Sequence, residues 1–235
     1  MRGILFDLDD TLYPRELYVQ SGFEAVAAHV ADSWRRSREG VIATLRRAHT
    51  SGWDGEEFQV LCNEHRLPLS VVPMLVKTFR QHRPTITLQP AVRGVLQQLR
   101  RDGWRIGILT NGDPAVQRRK IEALDLDPLV DSVTYAEEHS FRGKPHPHAF
   151  LAALAQLEVE RTACLHVGDD PLCDISGAHS VGLRAIRVLS PPHWTVEPPE
   201  CEKRWRASDA DATVDTVLDV AAIAPLVLME SPRVV

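Results

Sequence analysis

Short apolar runs recur along this chain, and helical patterns separate them. Four runs predict buried strands, at residues 3–6, 106–109, 163–167 and 185–188, and two weaker runs lie at 132–135 and 213–214. Each run ends in a polar or glycine-containing turn, which is typical of buried parallel strands. Between the runs, apolar residues repeat at helical spacing, as Val92, Val95, Leu96 and Leu99 do. This alternation predicts an α/β fold, a Rossmann-like parallel sheet core with helices on both faces.

Residues 15–83 interrupt the alternation, because they contain helical patterns and no convincing strand. Apolar residues form three stripes at helical spacing there: Val19, Phe23, Val26, Ala27 and Val30; Val41, Leu45 and Ala48; Val71, Met74, Leu75 and Phe79. We therefore expect a small all-helical domain at 15–83, inserted into an α/β core made of residues 1–14 and 84–235. The segment 190–210 is rich in proline and charge, and we expect a surface loop there.

Composition argues against several classes of protein. The net charge is −5 and no long basic run is present, so neither nucleic acid nor a membrane surface is an expected partner. The sequence has no apolar stretch of about 18 residues, and its first apolar run is too short for a secretory signal. The four cysteines form no Cys-x-x-Cys pair. We expect a reduced, cytoplasmic protein, and the sequence leaves open whether it is a monomer or a homodimer.

Two acidic clusters directly follow predicted strands, after residues 3–6 and after 163–167. Their members are Asp7, Asp9, Asp10, Asp169, Asp170 and Asp174. Crowded carboxylates repel one another, and a divalent cation that prefers oxygen ligands, such as Mg²⁺, offsets this repulsion. The alternative interpretation of each cluster is a turn or a helix cap made by a single aspartate.

Two further polar groups are candidates for a site, one after an apolar run and one after a glycine. Thr110 and Asn111 come after the run at 106–109 and can donate hydrogen bonds to an anionic oxygen, although Asn-Gly is also a common turn. Lys144 lies between Gly143 and Pro145, where it is either a fixed cation or an ordinary exposed lysine.

In this order, the four groups resemble the motifs of the haloacid dehalogenase-like (HAD) hydrolase superfamily. The resemblance spans residues 3 to about 188, and the segment Asp-Leu-Asp-Asp-Thr-Leu-Tyr at 7–13 is similar to the first family motif. The helical insert resembles the mobile cap of the phosphatase branch. The resemblance implies a Mg²⁺-dependent phosphohydrolase that acts on a small phosphorylated metabolite, a phosphomonoester of the nucleotide or sugar phosphate type.

The resemblance also implies roles for the catalytic and phosphoryl-binding residues. Asp7 would be the nucleophile that forms an aspartyl-phosphate, and Asp9 would be the general acid and then the general base. Thr110 and the backbone near Asn111 would hold the phosphoryl oxygens. Lys144 would bind the same group and offset the negative charge of Asp7.

The metal site follows from the same resemblance. Asp7, the backbone carbonyl of Asp9 and the side chain of Asp169 would hold Mg²⁺. Asp170 and Asp174 are candidates for ligands of metal-bound water, and their spacing does not rank them.

Several alternatives stay open. Dehalogenases of the family lack an acid at the position of Asp9, and the insert contains a single lysine, Lys77, with no sign of a Schiff-base role. A phosphomutase or a dehalogenase of the same superfamily, or a catalytically silent binding protein on this fold, remains an alternative. Four residues of the insert are candidate substrate contacts, although an ordinary surface or core role is the better interpretation of each: Tyr18, Arg35, Arg36 and Trp53.

Overall fold

The core of the protein is a six-stranded parallel sheet. The computed structural model describes residues 1–51, 55–139, 143–189 and 210–229. The strands are β1 (Arg2–Phe6), β2 (Trp104–Thr110), β3 (Ser132–Tyr135), β4 (Cys164–Gly168), β5 (Arg184–Val188) and β6 (Ala212–Val214). They lie in the order β3-β2-β1-β4-β5-β6 and every pair is parallel. The α/β prediction is confirmed, and each predicted strand is present within a residue or two of its expected ends.

Helices connect the strands and fill the insert. They are α1 (Arg15–Trp34), α2 (Arg38–Thr50), α3 (Glu57–His65), α4 (Val72–Gln81), α5 (Pro90–Arg101), α6 (Pro114–Ala123), α7 (Ala136–His139), α8 (Pro147–Leu157), α9 (Gly177–Ser180) and α10 (Val220–Met229). A π-helical turn, Pro171–Ser176, precedes α9. Among the described residues, no helix combines the length and the apolar character needed to span a membrane.

The described chain divides into two compact units. The helical unit is Glu16–Ile86, and the α/β unit comprises Met1–Arg15 and the described part of Thr87–Val235. Inside the helical unit, buried apolar residues from α1 to α4 form one core, including Phe23, Leu45, Leu61 and Leu75. Helix α3 is absent from the three stripes that the sequence predicts. It is only nine residues long and its first residue has no side-chain cap, so its periodicity is hard to recognise.

The position of β1 explains why polar residues from distant parts of the sequence meet. β1 pairs with β2 on one side and with β4 on the other, and Ile4, Leu5 and Phe6 are fully buried. The chain builds the sheet outward through β2 and β3, then returns to place β4 on the opposite side of β1. In open parallel sheets, ligands bind at the carboxyl ends of the strands where the order reverses. Here that point lies between β1 and β4, and the two acidic clusters follow these strands.

A substitution of Phe150, in α8, tests the packing of this core. The side chain is fully buried and its ring meets the His166 ring edge-to-face, with the ring centroids 5.2 Å apart. Phe150→Ala should lower the free energy of unfolding by about 3–5 kcal/mol, measured by urea denaturation, because the cavity cannot fully collapse. The matched control is Leu151→Ala on the same helix, where the side chain is 46% exposed. We expect a change of about 0.5 kcal/mol or less for the control. Equal losses in the two variants would contradict this packing.

Candidate active site

A buried lysine joins the first motif to the fourth. Asp7 extends β1, and its backbone N–H donates to Val167 O of β4 at 2.8 Å. Lys144 Nζ donates to Asp7 Oδ1 at 2.5 Å and to Asp174 Oδ1 at 2.6 Å. All three side chains are buried. The ammonium group is therefore a fixed cation between two carboxylates, and the alternative of an ordinary exposed lysine is wrong.

The charges in this group are not balanced evenly. Burial would lower the pKa of Lys144, but Asp174 and Asp7 outweigh burial and raise it. Burial would raise the pKa of Asp174, but Lys144 and His166 hold that pKa well below its usual range. Burial raises the pKa of Asp7 to about 7, since repulsion from Asp174 offsets part of the attraction of Lys144. Lys144 and Asp174 thus form an ion pair, while Asp7 has too little compensating positive charge.

Asp169 adds a third carboxylate. Oxygens of Asp7, Asp169 and Asp174 lie within 4.8 Å of one another. Burial and the charges of the other two carboxylates raise the pKa of Asp169 well above its ordinary value. A cluster of three carboxylates with one lysine attracts a further cation, and an all-oxygen donor set suits Mg²⁺. The residues present therefore fit this ion.

The structure separates the two aspartates that the sequence could not rank. Asp170 Oδ1 accepts hydrogen bonds from the backbone N–H groups of Leu172 at 2.8 Å and Cys173 at 2.7 Å. Asp170 thus caps the π-helical turn and lies outside the three-carboxylate cluster, as the capping alternative predicts. Asp174 lies inside the cluster, and its Oδ2 accepts the Asp170 N–H at 3.0 Å. Gly168 permits this approach, because a Cβ there would lie 2.2 Å from Asp174 Cγ.

Asn111 holds the backbone that carries Lys144. Its Oδ1 accepts the Lys144 N–H at 2.7 Å, and its Nδ2 donates to Lys144 O at 2.9 Å. Gly143 has a φ of 59°, and a Cβ there would lie 2.7 Å from Asn111 Oδ1. The Asn111 side chain, a candidate for substrate binding, is therefore engaged in positioning the lysine.

The Asp9 side chain lies outside the three-carboxylate cluster and has its own partners. Lys120 Nζ donates to Asp9 Oδ1 at 2.8 Å and to Oδ2 at 2.7 Å, and Tyr13 Oη donates to Oδ1 at 2.6 Å. Gln117 Nε2 donates to Asp9 Oδ2 at 2.9 Å and to Thr110 Oγ1 at 2.6 Å. Burial would raise the pKa of Asp9, but Lys120, Tyr13 and Gln117 together lower it. Asp9 is thus held ionised, and Thr110 is connected to it through one amide group.

Gln117 and Lys120 are absent from the residues that the sequence singles out. They lie three residues apart on α6, where Ile121 and Leu124 continue the same face at helical spacing. The apolar pattern of this helix is weak because two of its inward positions are polar. The signal that could have identified them is an apolar helix face interrupted by polar residues, directly after a candidate phosphate-binding turn.

His166 is a further site residue that the sequence does not single out. It is fully buried in β4, within a run that reads simply as apolar. Its Nε2 lies 2.9 Å from Asp174 Oδ1, and because that carboxylate is ionised, Nε2 carries the proton. Burial lowers the pKa of His166. The neutral imidazole therefore supports Asp174 from inside the core.

The four candidate contacts in the insert are less informative. Tyr18 is buried in the helical unit, with its ring against Phe79 and His82. Arg36 Nε donates to His65 O at 3.0 Å. Arg35 is exposed, and Trp53 lies outside the described residues, as does nearly all of the expected loop at 190–210.

Comparisons with known proteins identify the family of this chain. The family model for haloacid dehalogenase-like hydrolases matches residues 1–182. The chain is 30% identical over 193 residues to a glyceraldehyde 3-phosphate phosphatase from Pyrococcus abyssi, covering 79% of this chain and 80% of that protein. It is 26% identical over 230 residues to a ribulose-1,5-bisphosphate 5-phosphatase from Halopiger xanaduensis, covering 92% and 95%.

Similarity to solved structures extends over the whole fold. The HAD-hydrolase YfnB from Bacillus subtilis, bound to magnesium, aligns with a TM-score of 0.64 and 19% identity over 94% of this chain and 97% of that one. This likeness shows the shared fold, and the helical segment after β1 is part of it. With the family model matching most of the sequence, the chain belongs to the haloacid dehalogenase-like hydrolase family.

Proposed function

We propose that this protein is a Mg²⁺-dependent phosphohydrolase that cleaves a small phosphomonoester and carries the phosphoryl group on Asp7. The observation that carries the proposal is the buried contact of Lys144 with Asp7 and Asp174, beside Asp169. A phosphoryl group brings about −1.5 to −2 charges at neutral pH, so it needs compensating positive charge at the carboxylate that attacks it. Lys144 supplies one such charge.

In the first step, a carboxylate oxygen of Asp7 forms a bond to phosphorus while the bond to the leaving oxygen breaks. Lys144 Nζ, 2.5 Å from Asp7 Oδ1, offsets charge on the nucleophile and on the transferred oxygens. The Thr110 hydroxyl and nearby backbone N–H groups orient those oxygens. In the second step, a water oxygen attacks phosphorus, and Asp7 leaves as a carboxylate.

Asp9 moves the protons in both steps. The departing oxygen needs a proton in the first step, and the attacking water loses one in the second, so the same carboxyl group is acid and then base. The contacts with Lys120, Tyr13 and Gln117 favour its ionised form. An incoming anionic phosphoryl group raises the pKa of a nearby carboxyl group, which enables Asp9 to carry the proton when substrate is bound.

The residues that would hold Mg²⁺ are the side chains of Asp7, Asp169 and Asp174, together with the backbone carbonyl of Asp9. Bound there, the ion supplies positive charge that stabilises the phosphoryl oxygens. Asp170 is better explained as the cap of the π-helical turn, because its Oδ1 accepts two backbone N–H groups.

A small sugar phosphate is the substrate class that the relatives favour. Two of them act, by their names, on glyceraldehyde 3-phosphate and on ribulose 1,5-bisphosphate. Dehalogenation is disfavoured because Asp9 is present, and halide leaves without the proton that an alcohol oxygen needs. A catalytically silent binding protein is disfavoured because the sequence retains a residue for every motif role. We further propose that the helical unit Glu16–Ile86 is a separate domain that selects the substrate.

Phosphate release tests the proposed function. Wild-type protein should release inorganic phosphate from p-nitrophenyl phosphate and from at least one compound in a panel of sugar phosphates, phosphoserine and nucleoside monophosphates. Release should require Mg²⁺ and stop with EDTA. Asp7→Asn should lower kcat at least about a thousand-fold, because the nucleophile is lost. The matched control is Asp32→Asn, at an exposed position of the helical unit, which should keep normal rates. Activity that survives in Asp7→Asn would contradict the nucleophile assignment.

Thermal unfolding tests the metal site. The raised pKa values of Asp7, about 7, and of Asp169 mean that the folded state binds these protons more tightly than the unfolded state. Stability from these two groups is therefore present at low pH and lost as the pH rises from about 4 through 7. Mg²⁺ competes with the protons, so it should raise the Tm more at about pH 8 than at about pH 5. At a hundred times its Kd, the ion should add about 2.7 kcal/mol.

The Asp169→Asn and Asp170→Asn variants make this test specific. Asp169→Asn should raise the Tm without metal, because repulsion is relieved, and should reduce the shift that Mg²⁺ causes. Asp170→Asn keeps an oxygen that can cap the turn, so its Mg²⁺ shift should match wild type. His166, whose lowered pKa acts in the opposite direction, is the same in all three proteins. An undiminished Mg²⁺ shift in Asp169→Asn would argue against this ligand.

Removal of the insert tests the domain proposal. A chain in which a short Gly-Ser linker replaces residues 16–86 should keep a cooperative unfolding transition, since the sheet and its helices belong to the other unit. It should also discriminate less among the phosphate esters of the panel. Loss of the transition, measured by circular dichroism, would show that the two units do not fold independently.

A further inference from the structure

A second buried lysine lies beside the acid–base carboxylate. Among the described residues, Lys120 and Lys144 are the two buried lysines, and Lys120 is 4% exposed. A buried ammonium group is costly unless it is paired. Both oxygens of Asp9 contact Lys120 Nζ, at 2.8 and 2.7 Å. Lys120 therefore pairs with Asp9 as Lys144 pairs with Asp7, although Lys120 lies outside the four family motifs of the sequence.

Gln117 couples the same carboxylate to the phosphoryl-binding turn. Its Nε2 donates to Asp9 Oδ2 at 2.9 Å and to Thr110 Oγ1 at 2.6 Å. Helix α6 carries both Gln117 and Lys120, and the helix starts at Pro114, shortly after Thr110 at the end of β2. The helix thus fixes the distance between the hydroxyl that would orient the phosphoryl group and the carboxylate that would transfer the proton.

The contacts restrict how Asp9 can turn. Lys120 touches both carboxylate oxygens, Tyr13 Oη donates to Oδ1, and Gln117 donates to Oδ2. Rotation of the carboxylate would break several of these hydrogen bonds at once. Proton transfer requires the acid within hydrogen-bond reach of the leaving oxygen, so a fixed orientation raises the rate of that step.

We propose that Lys120 and Gln117 are positioning residues that orient Asp9 for proton transfer and align it with Thr110. The proposal rests on the proposed function, because it needs Asp9 to be the general acid. A merely structural role, in which Lys120 ties α6 to the loop after β1, would affect all substrates alike. A positioning role would affect only those reactions in which the leaving group needs a proton.

Two substrates with different leaving groups separate these roles. The measured quantity is kcat/KM for glycerol 3-phosphate, whose alkoxide must be protonated, and for 2,4-dinitrophenyl phosphate, whose phenolate leaves without a proton. Lys120→Met should lower kcat/KM for glycerol 3-phosphate by about 10- to 100-fold, part of the usual contribution of a general acid. For 2,4-dinitrophenyl phosphate we expect a change of about threefold or less, since phosphorylation of Asp7 then needs no acid.

Three further variants complete the experiment. Lys120→Arg keeps the charge and should recover part of the loss. Gln117→Leu should also reduce kcat/KM more for glycerol 3-phosphate than for the dinitrophenyl ester, and it tests the proposal if Lys120→Met does not fold. The matched control is Arg118→Met on the same helix, whose guanidinium pairs with Glu138 at 2.6 Å and is half exposed. It should leave both values unchanged.

Asp9→Asn distinguishes failure of this proposal from failure of the proposed function. If Asp9→Asn loses activity selectively toward glycerol 3-phosphate while Lys120→Met and Gln117→Leu reduce both substrates equally, or neither, the positioning role is wrong and the proposed function stands. If Asp9→Asn itself shows no selectivity, Asp9 is not the acid and the proposed function needs revision. Selective loss in Asp9→Asn, Lys120→Met and Gln117→Leu alike supports both.

Discussion

The arrangement of the site depends on one buried ammonium group. Lys144 contacts carboxylates from two different motifs, Asp7 after β1 and Asp174 after β4. Burial alone would raise the pKa of both carboxylates, and the charge of Lys144 opposes that effect in each of them. Asn111 fixes the backbone of the lysine by two hydrogen bonds, and His166 supports Asp174 from within the sheet. Every motif of the sequence is therefore connected, directly or through one neighbour, to this contact.

Sheet topology makes the contact possible. Asp7 and Asp174 are far apart in sequence, and they meet because β4 returns to the free side of β1. Strands β1 and β4 pair in parallel, so their carboxyl ends lie at the same edge, where the order of the sheet reverses. Gly168 then lets the turn after β4 pass close to the Asp174 side chain. The fold brings negative charge together, and Lys144 balances only part of it. The residual negative charge makes the site suited to a cation, which would in turn offset the negative charge of the proposed phosphoryl group.

Much of this could be predicted from the sequence, because the strands and motifs carry strong local signals. The six strands, the helical insert and the family are confirmed, and three of the four polar groups follow strands directly, whereas Lys144 lies between α7 and α8. The features that could not be predicted depend on which way the side chains point in the folded structure. Asp170 and Asp174 are equivalent by spacing, yet one caps a turn and the other faces Lys144. In the sequence, Gln117 and Lys120 look like ordinary helix residues. Their contacts with Asp9 are evident only when α6 packs against the loop after β1. His166 likewise looks like one more residue of a buried strand, and only the fold shows that it contacts Asp174.

Identification of the atom that carries the phosphoryl group would test the proposed role of Asp7. Protein with Mg²⁺ and a phosphoryl donor would be quenched in acid within a single turnover, and the peptide that contains Asp7 would be analysed by mass spectrometry. We expect one acid-stable, hydroxylamine-sensitive phosphoryl group on Asp7, which disappears in Asp7→Asn. When the turnover is run in ¹⁸O-labelled water, the label should enter inorganic phosphate and not the aspartate. Phosphate on another residue, or label in the Asp7 carboxylate, would show that the proposed phosphoryl transfer through Asp7 is wrong.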